Sequence, residues 1–169
     1  MKKQFTFLLA FLGTCSLVFS QSTPKLKDPT ATVISGVNSG RLNVIDPAVT
    51  DIAFTLIKQN SGDKLRITVK IKNLGLKAYE SGNNQQNVQL WEEYSSTNRK
   101  MVKVFPFQNI NGEVSQTFVY ERPAFKPSDE FPPNYTAMIV YDPDIKIDNN
   151  LNNDDANASN NKLTKNPRQ

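Results

Sequence analysis

From Leu65 to Lys72 the chain alternates without a fault: Leu65, Ile67, Val69 and Ile71 are set against Arg66, Thr68, Lys70 and Lys72. A period of two places the aliphatic residues on one face and the cationic and hydroxyl residues on the other. That is an antiparallel strand with one side on a core and the other on water. A helix cannot use the pattern, because its faces repeat every 3.6 residues, and no other window of the chain sustains a helical period. A strand of this kind must therefore pair with other strands, and the sequence supplies them. Ile52, Phe54 and Leu56 alternate in a strand from Thr50 to about Lys58, joined to Leu65 by the compact turn Asn60-Ser61-Gly62-Asp63. Val88-Gln89-Leu90-Trp91 forms another, with Val88 and Leu90 inward and Trp91 outward.

After the turn Ser95-Ser96-Thr97-Asn98, the strand Met101–Phe107 sets Val102 and Val104 on one face and Phe105 and Phe107 on the other. Pro106 makes it an edge strand or stops it early. Asn111-Gly112 is a hairpin signal ahead of Val114–Tyr120, whose Phe118 and Tyr120 share a side. Pro123, Pro127, Pro132 and Pro133 disfavour a helix and suit a crossing between sheets, with Phe125 and Phe131 as its anchors. Tyr135–Tyr141, apolar on both faces, predicts a central strand stopped by Asp142-Pro143-Asp144, and Lys162-Leu163-Thr164 a short last one. The pattern is that of an all-β antiparallel sandwich of about seven strands.

The 169 residues suffice for one such domain. Lys2 and Lys3, the apolar run Phe5–Val18 and the small-residue spacing Val18-Phe19-Ser20 predict a signal peptide over 1–20, cut after Ser20. That run is too short for a membrane span, and no later segment is apolar enough to be one. The expected location is therefore outside the cytoplasm: periplasm, outer-membrane surface or extracellular. Cys15 is the single cysteine. Leu12-Gly13-Thr14-Cys15 resembles a lipobox, but Thr14 and the apolar continuation to Ser20 argue against lipid anchoring. With Cys15 removed, thiolate and disulfide chemistry is excluded. The chain has no histidine, which removes imidazole bases, Ser-His and Cys-His pairs and ordinary zinc sites. Its 20 Lys+Arg stand against 16 Asp+Glu; the lysines are spread along the strands, as solvated faces are, and not gathered for nucleic acid. Residues 21–47, with Pro24, Pro29 and one short strand at Thr32-Val33-Ile34, read as a linker, residues 48–164 as the sandwich, and residues 165–169 as a frayed tail.

Three groups of residues are candidates for function. Asp142, Asp144, Asp148, Asp154 and Asp155, with their Asn neighbours, offer the hard oxygen ligands that Ca²⁺ takes. The spacing lacks the Gly and terminal Glu of an EF-hand, and the same residues serve equally to close turns. Trp91, Phe105 and Phe107 fall opposite the inferred core, with Tyr94 nearby, as a surface to stack on sugars or anchor a protein. The alternative is that the N-terminal segment or the proline crossing covers them. Glu92, Glu93, Glu121, Asp129 and Glu130 are the carboxylates an acid/base pair would draw on, but Glu92 and Glu93 point to opposite faces and no cleft is expected. They read as solvated charges, and no enzyme activity is expected.

The ordered landmarks Val69-Lys70-Ile71-Lys72-Asn73-Leu74-Gly75, Val88-Gln89-Leu90-Trp91, Tyr135-Thr136-Ala137-Met138-Ile139-Val140-Tyr141-Asp142-Pro143-Asp144 and Asn157-Ala158-Ser159-Asn160-Asn161 resemble those of the CARDB domain, the bacterial "cell adhesion related" module. The resemblance covers about Asp51 to Leu163. It implies an immunoglobulin-like sandwich in a bacterial protein, which would make the glycosylation patterns at Asn134 and Asn157 coincidental. It also implies a non-catalytic adhesion or interaction module of the cell envelope, with a protein partner or, alternatively, a surface polysaccharide held with the help of calcium.

Overall fold

A computed structural model of the chain describes residues 42–168, apart from 113, 127, 129 and 130. The signal segment with Cys15, the linker to residue 41 with its Thr32–Ile34 strand, and Asp129 and Glu130 lie outside the described residues. Seven strands follow in order: β1 (Pro47–Ile57), β2 (Lys64–Asn73), β3 (Gln86–Glu93), β4 (Arg99–Pro106), β5 (Ser115–Arg122), β6 (Asn134–Tyr141) and β7 (Lys162–Lys165). They form a three-stranded sheet, β1-β2-β5, and a four-stranded sheet, β4-β3-β6-β7. All neighbours are antiparallel. The fold is an immunoglobulin-like β-sandwich.

The alternation of β2 sets its place. Leu65, Ile67, Val69 and Ile71 are almost wholly buried, while Arg66 and Lys70 point to water. β2 is also the middle strand of its sheet: Val69 pairs with Ile52 of β1 on one side and Phe118 of β5 on the other. From the facing sheet Val88, Leu90, Tyr135, Ala137 and Ile139 close the core. β6 lies between β3 and β7 and buries residues from both of its faces, Tyr135 and Ala137 inward and Thr136 outward. This is what its unbroken apolar composition predicts.

Turns within a sheet and crossings between sheets divide the connections. The β1–β2 turn is closed by Gly62 at φ +110, where a residue without Cβ carries no steric cost. Asn111-Gly112 does turn the chain, with Gly112 at φ +53 and the Val114 N–H on the Asn111 carbonyl. It is not a hairpin, because β4 and β5 belong to different sheets. The proline-rich segment crosses between sheets as expected. Phe125 is buried within it, whereas Phe131 is 79% exposed and anchors nothing.

The β2–β3 crossing begins in a clamp that explains the Asn73-Leu74-Gly75 landmark. Asn73, fully buried, accepts from the Asp46 N–H at 2.9 Å and the Gly75 N–H at 3.1 Å, and donates to the Lys77 carbonyl at 2.5 Å. Gly75 passes so near residues 44–46 that a Cβ there would lie 1.9 Å from the Val44 carbonyl oxygen. The clamp draws in residues expected to be linker: Leu74 bonds Asp46, Lys77 bonds Val44 and Leu76 bonds Leu42, and Ile45 is part of the core. The other end of the domain is engaged too. Lys165 pairs with Asp51 at 2.7 Å, and Asn166 donates to Asn134 and to the Pro132 carbonyl.

Candidate interaction surface

The four-stranded sheet turns its outer face away from the core, and the pairing register says what it carries. Residues directly opposite on neighbouring strands share a face, so Val104, Gln89, Met138 and Lys162 form one row across the sheet. Met101, Trp91, Thr136 and Thr164 form the next. Met101 and Val104 are exposed by 43% and 40%, and Trp91 and Met138 are half-buried. Trp91 is held in place: its Nε1 donates to Gln89 at 3.2 Å and the Arg99 guanidinium lies 5.3 Å over its ring, a cation–π contact. Among the described residues β4 pairs on one side only, with β3. It is therefore an edge, and Arg99, Lys100 and Lys103 along it are exposed.

Of the four aromatic residues expected on this surface, two are there and two are not. Trp91 lies on the outer face and Tyr94 at its end. Phe105 and Phe107 are buried instead. Phe105 stacks on Phe118 of the opposite sheet at 5.1 Å, and Phe107 lies 6.0 Å from Tyr79. From Val104 to Phe107 the faces are thus the reverse of the expected ones, with Val104 outward, while Val102 packs against the core as expected. Phe105 sits opposite the inward Val88 and must share its face, and the register shift between Leu90 and Trp91 breaks the alternation farther along. Neither phenylalanine lies on the outer face.

The carboxylates behave as structural groups. Glu92 bridges the two sheets: its Oε2 accepts from Arg122 Nε of β5 at 2.8 Å and from the Tyr135 hydroxyl at 3.1 Å, and its Oε1 from the Tyr94 hydroxyl at 3.0 Å. Burial pushes the Glu92 carboxyl up, but Arg122 and the two hydroxyls outweigh it and hold it below its ordinary value. Glu93 points the other way, accepting from Thr136 at 2.9 Å, and Glu121 is paired with Arg66 at 2.8 Å.

The Asp and Asn residues of the β6–β7 connection mostly bond one another. Asp148 accepts from Gln85 and Asn153 at 2.9 and 2.7 Å, and the Asn153 amide before all others lowers its pKa. Asp155 accepts from Asn161 at 2.6 Å and from Tyr141 at 3.3 Å; burial raises the Tyr141 hydroxyl well above its ordinary range. Asp142 and Asp144 are exposed and Asp154 half-buried. Among the described residues no three Asp, Glu, Cys or His side chains come together to hold a metal, and Asp148 and Asp155 are taken up by amide and hydroxyl donors. Asn153 and Asn161 supply amide donors to Asp148 and Asp155, while the buried Oδ1 atoms of Asn153, Asp154, Asn160 and Asn161 have no hydrogen-bond partner among the described residues.

Among the described residues no helix is long and apolar enough to cross a membrane. No family model matches the chain, and no curated protein or solved structure matches it.

Proposed function

We propose that this chain is an exported, non-catalytic interaction module of a bacterial envelope, a small subunit that docks on a larger surface assembly through the edge of β4. The carrying observation is β4 itself: an eight-residue strand paired on one side among the described residues, apolar at Met101 and Val104, and cationic at Arg99, Lys100 and Lys103. An open edge is a template for an added strand. Its charge selects the partner, because two copies meeting edge to edge would set cation against cation, whereas an extended acidic segment would find counter-charges. The CARDB-like landmarks support the adhesion context. The missing histidine and the engaged carboxylates of Glu92 and Glu121 support a role without catalysis.

The test is affinity capture from native envelope extract with the tagged chain, with and without a calcium chelator, beside the variant Val104→Glu. One specific protein recovered in both conditions, and reduced at least tenfold by Val104→Glu at unchanged melting temperature, is the expected result. Equal recovery by the variant would remove β4 as the contact. Recovery lost on chelation would return the function to a cation.

A further inference from the structure

Where the β3–β4 hairpin turns, a cavity of about 340 Å³ opens beside the outer face of the sheet, at the small end of the ~300–1,000 Å³ range of ligand sites. The hairpin gives it Tyr94, Ser95 and Ser96, β4 gives Arg99, and β6 and β7 give Asn134 and Lys162; Glu93 of β3 completes the lining. Three features define what it fits.

The first is a presented ring. Tyr94 is 52% exposed, yet its hydroxyl is fixed between Glu92 at 3.0 Å and Arg122 Nη2 at 2.9 Å. A ring already immobilised offers its face at little further cost in entropy. The second is the density of hydroxyl, amide and carboxylate groups, which suits a ligand rich in hydroxyls and leaves an aliphatic one little to bury against. The third is charge. Arg99 and Lys162 have no ion-pair partner among the described residues, while the one lining carboxylate, Glu93, already accepts from Thr136. The cavity is thus net positive.

We propose that this cavity binds an acidic saccharide, a pyranose ring stacking on Tyr94 with its carboxylate toward Arg99 and Lys162. A peptide carboxylate would use the cations but leave the flat face of Tyr94 without a partner, and that favours the sugar. The site shares Arg99 with the strand-capture reading but is tested apart from it: Tyr94 and Lys162 lie outside β4, and Val104 lies outside the cavity.

Calorimetric titration of the whole chain would use a uronic-acid oligosaccharide, a neutral oligosaccharide of equal length, and polyglutamate, on wild type, Tyr94→Ala, Lys162→Gln and Val104→Glu. Melting temperatures identify any variant that fails to fold. The expected result is saturable binding of the uronate, at least tenfold weaker for the neutral sugar, tenfold weaker in Tyr94→Ala, several-fold weaker in Lys162→Gln and unchanged in Val104→Glu. Three results would each overturn it: no saturable binding, equal affinity for the neutral sugar, or equal affinity for polyglutamate with no effect of Tyr94→Ala. The last would give the cavity to a peptide carboxylate. Loss of capture by Val104→Glu with saccharide binding intact would show the two sites failing or holding independently.

Discussion

Replacing Asn73 with alanine tests whether the landmark at the end of β2 is a clamp or only a turn. The side chain is fully buried and makes three bonds to other described residues: accepting from Asp46 and Gly75, donating to Lys77. A net contribution of about 1 kcal/mol per bond gives about 3 kcal/mol. The Gly75 N–H, left in a buried place without that acceptor, keeps the loss from falling much below about 2 kcal/mol. In urea, at a slope of roughly 1.5 kcal/mol per molar, the midpoint drops by about 2 M, and the melting temperature falls by roughly 10 °C. Equilibrium unfolding followed by far-UV circular dichroism and by Trp91 fluorescence reads both. Asn73→Asp is the control: it keeps the acceptor for Asp46 and Gly75 but sets an oxygen against the Lys77 carbonyl, so it does not restore the wild-type value. A loss under about 1 kcal/mol for the alanine variant would refute the reasoning. Water would then replace the amide at no cost, and residues 42–46 would be held by the backbone alone.

Two further outcomes follow from the core and the sheet bridge. Phe105→Ala removes a ring stacked between the sheets and should cost about 3–5 kcal/mol in urea unfolding, whereas Tyr94→Ala, half exposed, should cost about 1 kcal/mol or less; the opposite order would restore Phe105 to the surface. Because the folded Glu92 carboxyl lies below its ordinary value of 4.5, its stabilisation is complete above that pH and is lost as pH falls through the folded value. Glu92→Gln should therefore cost about 2 kcal/mol at pH 7 and much less at pH 3, and an equal difference at both would show that the charge contributes nothing.

What could be read from the sequence was what depends on near neighbours. β2 and β6 follow from the pattern of their own residues, and Gly62 and Gly112 turn where short-range chemistry requires. What could not be read depends on register. The two-faced pattern of β4 fits either orientation, and only its pairing of Phe105 with Val88 decides which face is buried. Asn111-Gly112 specifies a turn, but not whether the next strand returns to the same sheet. The cavity at the hairpin was half legible: Tyr94 was a candidate, but Arg99, Asn134 and Lys162 reach it from three other strands and carry no local sign. The acidic tract shows the same limit: that Asn153 and Asn161 donate to Asp148 and Asp155 depends on how the loop folds and not on its composition.

The contacts between β1 and β7 bear on how the domain would carry load. Asn160 donates to Asp46 at 2.8 Å and Lys165 to Asp51 at 2.7 Å, so positions rise together along the two segments and β1 and β7 run in the same direction. Tension drawn between the beginning of β1 and the end of β7 would slide them past each other lengthwise. The cross-links would then be strained together in shear instead of parting one at a time as in a zipper. A tether that must hold under flow gains most from that geometry, because resistance to pulling is set by how many contacts yield at once.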